Sequence, residues 1–320
     1  MTKIGKDIAL AKQLLESGQL VAIPTETVYG LAANGLNPVA VARIFEAKNR
    51  PSFNPLILHV ADVAHAKALT RDFPTKAQQL ADVFWPGPLT IVLPKHASVP
   101  EIATGGLDTV ALRVPAHSLT LELLRSLDFP LAAPSANPSG YSSPTQALHV
   151  AEQLGERVAY ILDGGPAAVG VESTIVMVKD DKVYLLRQGG ISEETLQAVV
   201  GQIIVNTDAH DKPLAPGMML NHYAPRKTVL LGNLRQLQAE HFNAKLGVLA
   251  FMNPLPEVPE DQQRILSPSG DLAEAAANVF AYLRELDKLE LDFIITELVP
   301  NEGIGRAVND RLSRASGDVG

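Results

Sequence analysis

The feature that most constrains this chain is a series of short apolar runs in its first half, each about the length of one β-strand. They read "LVAI" at 20–23, "LILHV" at 56–60, "LTIVLP" at 89–94 and "TVALRVP" at 109–115. Proline, glycine or polar clusters bound them, the pattern of buried strands rather than helices. Further strands are expected at 158–162, 173–178 and 183–187. Helices are expected at 7–17, closed by Gly18, and at 75–84, 117–127 and 144–154. Another starts at Asn37-Pro38, with Asn as N-cap and Pro at the first helical position, and continues through "VARIFEAKNR". Strands outnumber helices, so residues 1–200 are expected to form a mixed, twisted α/β sheet with helices.

From 201 to 227 the pattern breaks. "GQIIVNTDAHDKPLAPGMMLNHYAPRK" has no helical period and carries Pro213, Pro216 and Pro225. Its Met218, Met219, His222 and Tyr223 make it too apolar for a bare spacer, and it is expected to act as a linker and lid. Beyond it, "TVLLG", a helix near 233–241, "LGVLA", a helix at 271–289, "FIITELV" and a last helix from about 304 alternate regularly. That alternation predicts a small parallel sheet over 228–320, a Rossmann-like second domain.

Composition narrows the function. Of 320 residues, 46% are hydrophobic and 19% charged, which suits packed cores. The net charge is −8, whereas a chain built to grip nucleic acid is usually basic. The small domain is itself more acidic than basic, so no stable nucleic-acid binding is expected. With no cysteine, disulfides, thiolate metal sites and a cysteine nucleophile are excluded. The eight histidines are scattered, and no HExxH occurs, so no protein-held metal is expected. His65 and His149 read as helix-surface residues. There is no signal-like N-terminus and no apolar run of about 18 residues, so neither secretion nor a membrane is expected. A cytoplasmic protein fits.

The candidate chemistry sits at strand ends. "IPTETVYGL" follows the first strand with hydroxyl and carboxylate side chains where a plain turn would use Gly or Asn. "EAKNRPSFNPLILHV" places Lys48, Arg50, Asn54 and His59 close together in sequence. Two cations there suit a helix C-terminus, and equally a polyphosphate. "TVALRVP" sets Arg113 inside an apolar strand, pointing opposite to both neighbours, and Arg187 repeats the pattern before two glycines. "LAAPSANPSGYSSPT" joins a strand to a helix, where backbone N–H groups collect around anions. "GVEST" adds a further hydroxyl pair. No GxxxxGK[ST] occurs, and "GIGRAV" at 303–308 lacks the third glycine of a dinucleotide loop.

Taken in order, "PTETVYGL", "AKNRPSFNPL", "LRVP", "APSANPSG" and "GGPAAVGVESTIV" resemble the YrdC-type L-threonylcarbamoyladenylate synthases. "NHYAPRK" and the tail "GIGRAVNDRLSRAS" resemble that family's longer, two-domain form. The resemblance implies a reaction of L-threonine, bicarbonate and ATP, with Mg2+, that yields threonylcarbamoyl-AMP and pyrophosphate. A downstream transferase would place the threonylcarbamoyl group on tRNA. It further implies that Thr27, His59, Arg113, Ala133 and Ser173 contact threonine. Arg50, Asn54, Thr109, Ser135, Ser143, Arg187 and Tyr223 would contact ATP. Lys48 would add positive charge, and Lys48 and Arg50 are the favoured catalytic candidates. Two rival readings stay open, a non-catalytic RNA-binding module and a carbamoyl transferase.

Overall fold

The computed structural model describes residues 2–206 and 223–317. Among these, eleven strands form one sheet. Its spatial order is Lys3–Gly5, Tyr160–Leu162, Val21–Ile23, Gly30–Asn34, Leu131–Ala132, Ile57–His59, Thr109–Arg113, Leu89–Pro94, Thr174–Lys179, Lys182–Arg187 and Ile203–Val205. Pairing is mixed, as expected. Ile57–His59 runs parallel to Thr109–Arg113, while Leu89–Pro94 is antiparallel to Thr109–Arg113 and parallel to Thr174–Lys179. The apolar runs lie in the middle of the sheet, where Leu58, Ile91 and Leu112 are fully buried.

Three local differences from the sequence reading shape the site. Gly30–Asn34 is a strand antiparallel to Val21–Ile23, so "PTET" is the connection between two strands and is anchored at both ends. The helix expected to reach residue 50 is Pro38–Lys48, stopped by Asn49 in the left-handed conformation at φ 51. Lys48 therefore belongs to the last turn and Arg50 to the loop beyond it. Ile203–Val205 pairs in parallel with Val183–Leu185, and the Asn206 amide donates to the Leu185 carbonyl. The first sheet thus continues past the expected boundary at residue 200. Residues 207–222 of the expected linker, with Met218, Met219 and His222, lie outside the described residues.

The second sheet holds Thr228–Leu231, Phe293–Thr296, Leu246–Ala250 and Gln263–Ile265, all in parallel pairing. Helices Leu272–Lys288 and Gly305–Ser316 of this small domain pack toward the first. One apolar cluster combines Val28, Val171 and Tyr223 with Val279, Phe280 and Leu283. The approach is close at Gly170, which has φ +78. A Cβ there would stand 2.2 Å from the Ala276 carbonyl oxygen, so a side chain would push the helix away. Among the described residues no helix is long and apolar enough to cross a membrane.

Candidate active site

A narrow cleft opens where the strand ends of the first domain meet Tyr223. Arg113 is the centre of one end. It is buried, and its Nη1 donates to Thr27 Oγ1 at 2.9 Å while Nε donates to the Gly87 carbonyl at 3.2 Å. Its Nη2 lies 2.7 Å from Glu26 Oε1. The Thr27 hydroxyl is also 2.8 Å from Thr25 Oγ1, which donates to the Val28 carbonyl at 2.6 Å. Within the "TET" connection, Glu26 and Thr27 thus meet one guanidinium while Thr25 steadies Thr27. His59 is the register partner of Arg113 on the neighbouring strand. Burial, and then the Arg113 charge, lower its pKa to about 3, so it is neutral at pH 7. Ala133 and Ser173 close this end, and Ser173 Oγ sits 2.7 Å from Thr90 Oγ1.

The other end collects cations. Arg50 is buried, with Nε on the Asn54 carbonyl at 3.3 Å and Nη2 on the Pro55 carbonyl at 3.0 Å. Burial lowers its pKa to about 10. Arg187, also buried and also shifted down by burial, donates from Nη2 to the Ser173 carbonyl at 2.9 Å and to Ser173 Oγ at 3.2 Å. Ser135, Tyr223 and Glu172 complete the wall. The chain crosses Glu172 closely at Gly189, where a Cβ would meet the Glu172 carbonyl oxygen at 2.4 Å. Tyr223 is fully buried yet has φ 74, a conformation that an aromatic residue adopts only when its surroundings dictate it.

Nine of the expected contact residues thus line one cleft: Thr27, Arg50, His59, Arg113, Ala133, Ser135, Ser173, Arg187 and Tyr223. Four others stand elsewhere. Lys48 does not line the cleft. Its buried ammonium donates to the Ser135 carbonyl at 2.5 Å and to that of Asn137, and so ties down the "APSAN" loop. Asn54 is buried behind Arg50 and presents it a carbonyl. Ser143 is one step behind the wall, its hydroxyl donating to Glu172 Oε1 at 2.5 Å. Thr109 begins the strand that Arg113 ends and pairs with Pro94, about 13 Å away at strand spacing. His149, read as a surface residue, is buried, and burial lowers its pKa to about 4.

The sequence reading gave no role to Thr25, Glu26 or Glu172. Glu26 sits between two threonines at a strand end, and Glu172 precedes the "ST" pair; each is a carboxylate within a quoted motif. Their signal was present, but their partners are remote in sequence. Glu26 pairs with Arg113, and Glu172 with Arg311 at 2.8 Å. Burial acts against the Glu172 carboxylate, but Arg311 and Arg187 outweigh it and hold its pKa below the ordinary range. Glu172, which lines the cleft, and Glu26, which pairs with Arg113 behind it, are thereby both engaged. No group of three or more acidic, His or Cys side chains suited to a metal occurs among the described residues.

Residues 13–189 match the Sua5/YciO/YrdC family model, described as telomere recombination. Residues 191–317 match the model described as threonylcarbamoyl-AMP synthase, C-terminal domain. The chain belongs to this family, in its two-domain form. Among family members, it is 43% identical to the threonylcarbamoyl-AMP synthase of Bacillus subtilis, over 97% of this chain and 93% of that one. It is 42% identical to that of Pyrococcus abyssi, over 97% of this chain and 94% of the other. The crystal structure of P. abyssi Sua5 complexed with L-threonine superposes with a TM-score of 0.92 at 40% identity, covering 99% of this chain and 98% of that one. The likeness to Sua5 thus extends through both domains.

Proposed function

We propose that this chain is an L-threonylcarbamoyladenylate synthase, joining L-threonine, bicarbonate and ATP into threonylcarbamoyl-AMP and pyrophosphate. The observation that carries the reading is the division of one cleft. One end has a buried arginine framed by small and hydroxyl side chains, and the other has two further buried arginines. Arg113 offers a fork for the threonine carboxylate beside the Thr27 and Ser173 hydroxyls. Arg50 and Arg187 face the position proposed for phosphates, with Ser135 and Tyr223 beside the nucleotide. The threonylcarbamoyl-AMP synthase names of the relatives, and the threonine complex of P. abyssi Sua5, support the same reading.

The chemistry then asks mainly for positioning. The threonine amine attacks carbon dioxide, releasing a proton, or bicarbonate, releasing water, to form a carbamate. A carbamate oxygen attacks the α-phosphorus, the bond from that phosphorus to the β-bridging oxygen breaks, and pyrophosphate leaves with the electron pair. Such a transfer gains from alignment and from neutralised phosphate charge. Neutral His59, with a pKa of about 3, is a poor proton acceptor and serves to shape the threonine end. Mg2+ would enter with ATP and neutralise its phosphate charge. Because Glu26 and Glu172 are held by arginines, phosphate oxygens and water suit the ion better than protein carboxylates. The product would pass to a separate tRNA-modifying transferase in the cytoplasm.

The test is pyrophosphate release from ATP with threonine and bicarbonate each supplied or withheld, with mass detection of threonylcarbamoyl-AMP. The reading requires release to depend on both. Release that ignores threonine, or turnover of carbamoyl phosphate in its place, refutes it. Salt-sensitive RNA binding without ATP turnover would favour the RNA-binding module.

A further inference from the structure

The tail motif "GIGRAVNDRLSRAS" has no part in the chemistry above, yet one of its residues is the largest fully buried side chain among the described residues. Arg311, on helix Gly305–Ser316, has no exposed surface although it belongs to the small domain. Its guanidinium crosses the domain boundary. Nε donates to Glu172 Oε2 at 2.8 Å, and Nη2 donates to the Gln188 carbonyl at 3.0 Å, one residue beyond Arg187. Nη1 pairs with Asp310, and the guanidinium carbon lies 4.9 Å from the centre of the Tyr223 ring. Phe280, also from the small domain, packs on the same ring at 5.4 Å.

We infer that Arg311 is a positioning residue for the nucleotide half of the cleft, acting through Glu172 and Tyr223. This rests on the assignment of that half to ATP.

Three physical effects converge. First, Glu172 lines the cleft, and its charge would repel phosphate at short range in a buried site; the Arg311 pair cancels it. Second, holding Oε2 leaves Oε1 to accept from Ser143, so the carboxylate has one orientation. Third, a cation on the Tyr223 ring, with Phe280 on it as well, stabilises an aromatic residue in a costly backbone conformation. Every contact on the first domain falls on the nucleotide side. Arg113, Thr27 and His59 are not among its partners. The small domain is therefore a working part of the site, and its effect should separate the two substrates.

The test uses the full chain and three variants, Arg311→Met, Glu172→Gln and the double variant. Affinity is titrated with a non-hydrolysable ATP analogue and, separately, with L-threonine; steady-state KM values are measured alongside. Arg311→Met should weaken the analogue by roughly tenfold while threonine affinity stays within about twofold. Glu172→Gln removes the uncompensated charge, so the double variant should bind the analogue better than Arg311→Met alone. That rescue is something a merely structural arginine would not produce. Equal losses for both ligands, unchanged analogue affinity in Arg311→Met, or losses that simply multiply in the double variant overturn the inference. If Arg311→Met does not fold, the double variant decides: a folded double variant with weakened analogue binding and intact threonine binding supports the inference. Equal losses for the two ligands in that variant, or its failure to fold as well, assign Arg311 to stability alone. Threonine-dependent pyrophosphate release by the unaltered chain tests the underlying reading separately, since analogue titration needs no turnover.

Discussion

Lys48 and Arg50 are two residues apart, yet their substitution should produce opposite phenotypes. Lys48 is 1% exposed, and its ammonium is bound to two backbone carbonyls of the "APSAN" loop. In Lys48→Ala both carbonyls lose a charged donor, and each buried acceptor left unsatisfied costs about 1–3 kcal/mol. The buried stem adds roughly 0.8 kcal/mol for each CH2 removed. Against these stands relief from burying an ammonium, a penalty that shows in the downward shift of its pKa through desolvation and then Arg50. The balance is a destabilisation of roughly 2–4 kcal/mol for Ala. Lys48→Met keeps most of the stem and should cost less. Arg50→Ala removes hydrogen bonds from a group that lines the cleft and should raise the KM for ATP by roughly 10- to 100-fold. Its effect on stability should be smaller than that of Lys48→Ala. Urea unfolding midpoints and ATP kinetics, measured on all three variants, give the comparison. A Lys48→Ala protein as stable as the unaltered chain, with an ATP defect matching Arg50→Ala, would refute this division and place the amine on the nucleotide.

Three further outcomes are expected. The folded pKa of His59, about 3, is below its ordinary 6.5, so the unfolded chain binds more protons between these values. Its contribution, roughly 3–5 kcal/mol, is present above pH 6.5 and is lost as the pH falls toward 3. His59→Asn should flatten that decline in a pH series of unfolding midpoints, while His149, at about 4, keeps part of it. Arg113→Lys should raise the threonine KM at least about tenfold and the ATP KM far less, because a point charge cannot serve Glu26, Thr27 and a carboxylate together; equal changes in both would count against a threonine site there. 2-Aminobutyrate, lacking only the hydroxyl of threonine, should turn over at least about a hundredfold less efficiently, and parity between the two would remove the specificity argument.

Much of this was legible in sequence because the relevant signals are local. The apolar runs at 56–60 and 89–94 became central strands, and Asn37 caps its helix through the amides of Val39 and Ala40. Gly30–Asn34 escaped notice because Gly-Leu-Ala-Ala carries little β-propensity, and its strand character comes from pairing on both edges. Lys48 was misjudged for a related reason. Lys-Asn-Arg reads as a cationic helix end, but one left-handed residue at Asn49 sends the two charges to different tasks. Arg311 lay furthest from reach. Near an acidic residue on a polar helix it reads as a surface ion pair, whereas its decisive partner, Glu172, is supplied by another domain.

A chain with net charge −8 can still hold a polyanion, because the balance that matters is confined to the cleft. Arg113 and Arg311 are each ion-paired to a carboxylate, Glu26 and Glu172. Arg50 donates to backbone carbonyls, and Arg187 to Ser173. A carbonyl dipole compensates the buried Arg50 guanidinium less fully than a carboxylate would, and although Glu172 acts favourably on Arg187, burial holds both groups below the ordinary arginine range. An incoming phosphate would reverse that direction and recover part of the desolvation cost already incurred in folding. The same logic applies differently at the threonine end. There Glu26 already satisfies part of Arg113, so a ligand with a single carboxylate shares a fork rather than meeting an unscreened cation. The stronger electrostatic gain therefore falls on the phosphates, while hydroxyl contacts and shape must carry the choice of amino acid. That division follows from Glu26 lying against Arg113, and the nucleotide end is the one that the small domain reaches, through Arg311 and Glu172.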